Sequence, residues 1–234
     1  MPISISRRRA TVSIAAALVA GAAPVSALAE VVTRLPVAPH DKVVTFTFDA
    51  CETRTPAFLD RSISDFMVSR RIPFTIFACG RFARHNQAAL ADLARHDFVE
   101  IENHSMNHDN HMERMDEATV RRELLDADAL LHGITGKHTR YFRFPAGNYD
   151  ARALGVVESL GYRVVHWRFA SGDPMRTLTP EHETEWVLEK TRPGDILIFH
   201  INGRGWATGR ALPSIVAALE ERGYRFVRLD KVLA

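Results

Sequence analysis

The stretch Val43-Val44-Thr45-Phe46-Thr47-Phe48-Asp49 decides how the chain is read. In an extended strand successive side chains face opposite ways. Thr45, Thr47 and Asp49 therefore share one side, and Phe46 and Phe48 the other. A polar row facing inward, with aromatics against outer helices, suits a barrel whose lumen carries chemistry. The alternative, a half-exposed edge strand, fits poorly with the apolar residues around it.

Outward from this run, apolar segments of strand length recur at Phe74–Ala78, Phe98–Ile101, Tyr141–Phe144, Val164–Phe169, Ile196–Phe199 and Arg225–Leu229. Helical stripes lie between them, such as Val120, Leu124, Ala127 and Leu131, or Leu212, Ile215, Val216 and Leu219. Gly133, Gly161 and Gly223 stand where helix C-caps are expected, and Thr179-Pro180 reads as an N-cap followed by proline in the first turn. Regular alternation of strand and helix predicts an α/β fold of parallel strands joined by right-handed crossovers. About seven units fit either a doubly wound sheet or a barrel one strand short of eight.

The polar residues sit where such folds place their ligands, at the carboxyl ends of strands. Asp49 ends the first strand, His104 the third and His200 the sixth, and Arg143 lies late in the fourth. Four residues at four strand ends converge on one rim. His104 and His108 are four apart, so one helical turn would point both imidazoles at a single metal ion. His111 is expected to be solvated beside Asp109 and Asn110.

The chain has 234 residues, 46% of them hydrophobic and 25% charged, which excludes disordered and fibrous classes. Its formal charge of +2 comes from the N-terminus. Arg7-Arg8-Arg9, an Ala-rich run from Ala10 and the ending Ala27-Leu28-Ala29 read as a cleavable secretory signal peptide over residues 1–29. Its removal leaves fewer basic than acidic residues, so no nucleic-acid partner is expected. Residues 30–234 are expected to form one domain with no stable membrane span, acting in the periplasm or outside the cell. Cys51 and Cys79 would then lie where disulfides persist. A disulfide, two free buried thiols and a metal-ligating Cys51 all remain open.

These motifs resemble the polysaccharide deacetylases of carbohydrate esterase family 4, the NodB-homology domain, from roughly Lys42 to Leu229. Thr47-Phe48-Asp49 resembles the first motif, His104-x-x-x-His108 the second and Arg143-Phe144-Pro145 the third. Ser171-Gly172-Asp173 is assigned to the fourth, and the run from Pro193 to His200 to the fifth. The resemblance implies a distorted, incomplete (β/α) barrel and metal-dependent removal of acetyl groups from an acetylated glycan. It implies a divalent ion, zinc by the softness of imidazole, on His104 and His108. Asp49 would be general base, Arg143 its orienting cation, His200 general acid with Asp173 behind it, and a backbone N–H near Ala146 an oxyanion donor.

One departure matters. The family carries a second aspartate after the first, as a metal ligand, and here that position is Ala50. Glu52 or Cys51 could supply the third ligand, Asp49 could ligate directly, or the histidines could act without metal. The third-motif aromatic after proline is also replaced, by Ala146-Gly147. Besides deacetylation of N-acetylated (or O-acetylated) polysaccharide or peptidoglycan, two functions stay open: a C–N hydrolase on a small non-sugar amide, and a degenerate barrel that only binds glycans. Trp206, on a loop after His200, and Trp167 are the aromatics placed to stack on sugar rings.

Overall fold

The computed structural model describes residues 31–52 and 56–233, so the signal-peptide expectation for residues 1–29 lies outside the described residues. Seven strands alternate with helices: β1 (Val43–Ala50), α1 (Arg61–Ser69), β2 (Phe74–Ala78), α2 (Gly80–His85), α3 (Gln87–Leu93), β3 (Val99–Asn103), α4 (Glu117–Thr135), β4 (Tyr141–Phe142), α5 (Ala151–Ser159), β5 (Arg163–Val164), α6 (Pro180–Lys190), β6 (Ile196–His200), α7 (Thr208–Glu221) and β7 (Arg225–Phe226). All strand pairings are parallel, in the order β5-β4-β3-β2-β1-β6, with β7 pairing the start of β1. The result is the incomplete α/β barrel that the sequence motifs imply.

The alternation read from β1 sets the layers. Phe46 and Phe48 are fully buried in the outer core, packed with Phe74, Phe199, Ile63 from α1 and Ile215 from α7. On the other face, Val43 joins Phe77, Tyr141, Val165 and Ile196 in an apolar floor to the lumen. Thr45, Thr47 and Asp49 rise above that floor and are themselves buried. Local caps place the helices. Asp116, Asp150 and Thr179 each accept a backbone N–H from the first turn of α4, α5 and α6.

Three strands are shorter than the apolar runs suggest, and β5 shows why. Past Val164 one side still bonds to β4, through Val165 N–H on the Phe142 carbonyl, but the other side meets the N-terminal segment: Val32 bridges Val165 in parallel, and His166 N donates to the Val32 carbonyl. Two residues later Arg34 bridges Asp195, at the start of β6. The segment thus spans the gap between β5 and β6 that an eighth strand would fill. Gly133 is also not a cap, because α4 continues for two residues and ends at Gly136, whose φ of 73° supplies the left-handed cap.

Where the N-terminal segment crosses β6, Gly194 has φ of +85°, and a Cβ there would lie 3.1 Å from the Leu35 carbonyl oxygen and 3.2 Å from Val37 Cγ2. Gly194→Ala is therefore expected to cost about 1–3 kcal/mol by backbone strain, before any displacement of the segment. A thermal melt checks this. A midpoint lowered by several degrees is expected for a chain of this size.

Candidate active site

The strand register brings the rim together. Asp49 and His200 are directly paired neighbours on β1 and β6. His104 follows β3, and Arg143 follows β4 with its N–H on the Asn103 carbonyl. Asp49, His108, Asp173 and His200 all line one cavity of about 250 Å³, together with Ala146 and Trp167.

Arg143 is the deepest member and has no exposed surface. Its Nη1 donates to Asp49 Oδ1 at 2.7 Å and to Thr47 Oγ1 at 3.0 Å, while Nε donates to the Val165 carbonyl at 3.1 Å. The guanidinium lies 4.0 Å from the centroid of Phe77, the lumen floor. A charge taken from water at this depth persists only when paired, and Asp49 is its partner. Burial alone would push the Asp49 carboxyl up. The Arg143 charge and hydrogen bond, together with His104 and His200, outweigh that and hold it at about 2.

His104 donates Nδ1–H to the Arg143 carbonyl at 2.8 Å, which fixes the tautomer and leaves the Nε2 lone pair facing the site. Nε2 lies 3.6 Å from Asp49 Oδ2 and 3.6 Å from Cys51 Sγ. His108 is only 5% exposed, yet neither ring nitrogen has a hydrogen-bond partner. Burial pushes both imidazoles down, His108 to about 3 with His104 adding to the effect, so both are neutral donors at ordinary pH.

The pair does not share a helical turn, as the four-residue spacing predicts. Residues 104–109 form an irregular loop. Ser105 and His108 both have positive φ, 67° and 54°, and the Ser105 hydroxyl accepts the His108 N–H at 3.0 Å. Glu123, from α4, holds the loop by accepting the N–H groups of Met106 and Asn107. The rings still meet, with centroids 4.8 Å apart. Left-handed residues other than glycine are costly and gather where function needs them; Ala146, at φ 55°, is a third on this rim.

On the opposite wall, Asp173 accepts from His200 twice, through Oδ2 from its backbone N–H at 2.6 Å and through Oδ1 from Nδ1 at 3.0 Å. Ser171 donates to the same carboxylate at 3.0 Å. Behind it, Thr208 donates to Glu183 at 2.9 Å. Burial raises the Glu183 carboxyl to about 7. Neither Thr208 nor Glu183 is singled out by the sequence, since both sit within ordinary helical patterns.

Both cysteines are free and buried. Cys51 lies on the Asp49 face, and its sulfur, His104 and His108 offer ligand atoms all within 4.8 Å of one another; Asp49, Cys51 and His200 form a second such group. Glu52 turns away, its carboxylate accepting from Ala57 N–H and pairing with His85, each at 2.9 Å. His111 pairs with Glu113 and is exposed, as expected. The two neutral imidazoles, one with its lone pair directed by the Arg143 carbonyl and one with neither nitrogen bonded, fit a bound divalent cation.

The Asp49 carboxyl sits lower in the folded chain than in the unfolded one, so its charged form stabilises above about pH 4, and that stabilisation is lost as pH falls toward 2. The swing is on the order of 2 kcal/mol. Asp49→Asn is expected to flatten this acid limb in denaturant titrations at successive pH values. It should also lower stability at neutral pH by about 3–5 kcal/mol, because Arg143 loses its counter-charge.

Comparison with known proteins gives the family. The sequence model of the family described as Polysaccharide deacetylase matches residues 37–165. The chain is 27% identical over 199 residues to the peptidoglycan-N-acetylglucosamine deacetylase of Bacillus cereus, covering 83% of this chain and 89% of that protein. PdaA of Bacillus subtilis, a family 4 carbohydrate esterase, superposes with a TM-score of 0.76 at 22% identity, over 87% of this chain and 84% of that one. A CE4 family pseudoenzyme from Bacillus anthracis superposes with a TM-score of 0.73 at 21% identity, over 84% of this chain and 67% of that one. The family match spans more than half of the sequence and contains Asp49, His104, His108 and Arg143, so the chain belongs to the polysaccharide deacetylase family.

Proposed function

We propose that this polysaccharide deacetylase hydrolyses the N-acetyl groups of a secreted or periplasmic amino-sugar polymer, of which peptidoglycan is the best-supported example. The named activity of the Bacillus cereus relative supports the substrate class. The observation that carries the reaction is the placement of Asp49 and His200, whose carboxylate oxygen and ring nitrogen approach within 4.8 Å in one cavity.

Asp49, kept ionised by Arg143, takes the proton of the attacking water. The same ion pair fixes its orientation, since Arg143 is itself immobilised by Thr47 and the Val165 carbonyl. His200 protonates the departing amine from the facing wall. Asp173 holds its Nδ1, which leaves Nε2 as the nitrogen that exchanges a proton with substrate. The Ala146 N–H, on the strained turn of the cavity wall, serves the developing oxyanion. A divalent ion on His104 and His108 would polarise the acetyl carbonyl and make water more acidic. Zinc suits this donor set best.

The polymer itself has room to extend. A shallow groove of about 460 Å³, lined by Met175, Leu178 and Trp186, shares Ala170, Ser171 and Gly172 with the catalytic cavity. Trp206 is 46% exposed, with the Arg176 guanidinium 4.7 Å from its ring centroid. These apolar faces suit the flat faces of sugar rings. Among the described residues no helix is long and apolar enough to cross a membrane. The leader read over residues 1–29 supports action on an extracytoplasmic polymer.

The fold by itself does not carry the reading, because the Bacillus anthracis neighbour shares it as a pseudoenzyme. Acetate release from N-acetylglucosamine oligomers and from peptidoglycan fragments is the test. His200→Ala is expected to lose about 10²–10⁴-fold in kcat while melting normally. Retained oligomer binding with no acetate from any acetylated glycan would make the protein a binding module. Turnover restricted to small non-sugar amides would replace the substrate.

A finer test sits at Gly205. A Cβ there would lie 2.6 Å from the His200 carbonyl oxygen and 3.0 Å from Asp173 Oδ2. Gly205→Ala is expected to shift the His200–Asp173 pair and lower kcat more than it raises KM, since the pair acts on the leaving group.

A further inference from the structure

We infer that Cys51 replaces the family's missing carboxylate as a metal ligand, giving a His104–His108–Cys51 site for a thiophilic divalent ion. The inference deepens the deacetylase reading, on which it rests only for the use to which the ion is put.

Strand geometry explains the exchange of ligand position. Asp49 faces the lumen, so Ala50 faces outward, where it is completely buried in the apolar outer core with Ala78 and Cys79. A side chain there is well served by a methyl group. The next residue returns to the lumen face, and that residue is Cys51. Its sulfur lies 3.6 Å from His104 Nε2, the lone pair directed by the Arg143 carbonyl. His108, buried and with both ring nitrogens unpartnered, completes a triangle whose ligand atoms all lie within 4.8 Å. An imidazole buried without a hydrogen bond is unusual, and a shared cation accounts for it.

The competing repairs are already engaged. Glu52 is bound to Ala57 and His85 on the far side of the chain. Asp49 has Oδ1 held by Arg143 and keeps Oδ2 3.6 Å from His104 Nε2, but that carboxylate is already assigned to the proton of the attacking water. Cys51, in contrast, directs its sulfur at His104 Nε2, and Asn202 donates to its carbonyl. Cys79 is occupied differently, accepting the Glu52 N–H at 3.1 Å.

On binding, the Cys51 S–H bond is exchanged for a metal–sulfur bond, and one proton is released to solvent. A thiolate carries the same single charge as the carboxylate it replaces. It is softer, and so it favours zinc and cobalt over magnesium, calcium and manganese. It also makes the site sensitive to oxidants that convert a thiolate to sulfenic acid.

X-ray absorption on the full chain loaded with one equivalent of zinc tests this without reference to turnover. One sulfur neighbour at about 2.3 Å with nitrogen neighbours at about 2.0–2.1 Å is expected. Cobalt loading should give thiolate-to-cobalt charge-transfer absorption in the near ultraviolet. Both signals should vanish in Cys51→Ser and persist in Cys79→Ser. Zinc affinity in Cys51→Ser should fall by more than the ~10–100-fold that losing an outer hydrogen-bond partner costs. Cys51→Asp should bind zinc through oxygen and nitrogen alone, and so shows that the pocket survives the loss of sulfur. Only nitrogen and oxygen neighbours in the wild type, a sulfur signal that survives Cys51→Ser, or no zinc bound would overturn the inference. Acetate release is read separately. Acetate without the sulfur signal removes this inference and keeps the deacetylase, whereas the sulfur signal without acetate does the reverse.

Discussion

The site is organised around one buried charge. Arg143 emerges just past β4 into the lumen, with Phe77 beneath it and Asp49 beside it. A guanidinium in such a place demands a fixed carboxylate, and a carboxylate so held cannot rotate toward other partners. Much of the rim follows from this. Thr47 is polar because it accepts from Arg143. The Arg143 carbonyl is turned to His104, setting which of its nitrogens faces the cavity. The same residue therefore fixes the charge on Asp49 and the tautomer of His104.

The two walls of the cavity differ in how they are built. The wall bearing Asp49 and Arg143 is rigid, formed by strand ends locked in register. The wall bearing His200 depends on the loop at Asp173, which reaches back to accept from the His200 backbone and ring. The histidine loop after β3 is different again. It is held in left-handed conformations by Ser105 and tied down by Glu123 from a helix. Strain at those positions is compensated by hydrogen bonds from elsewhere in the fold, a division of labour common at functional sites.

How much was legible follows from the range of each interaction. The period-two pattern of β1 is local, and Phe46, Phe48, Thr47 and Asp49 face as it dictates. Strand ends are also local, so the meeting of Asp49, His104, Arg143 and His200 was open to reading. What stayed hidden depends on contacts distant in sequence. The spacing of His104 and His108 suggests a helical turn, yet a loop closed by Glu123 joins them. The run after Val164 looks like strand, but His166 donates to Val32, more than a hundred residues earlier. Gly133 resembles a cap because the pattern cannot show that α4 gains further contacts before Gly136. Which side chain stands nearest the two histidines as a third donor was illegible for the same reason. Only the packing of Ala50 and the engagement of Glu52 distinguish Cys51 from its neighbours.

The strap formed by residues 31–37 carries a consequence for how the molecule is made. It joins β5 to β6, and those strands leave the ribosome some 130 to 160 residues later. The earliest described part of the barrel to be synthesised thus docks only after five strands have followed it. Until β6 emerges the lumen stays open along one seam, with Val32 and Leu35 lacking the partners that later bury them. If a leader keeps the nascent chain unfolded for export, this order is an advantage. The seam cannot close prematurely, and closure waits until β6 has arrived.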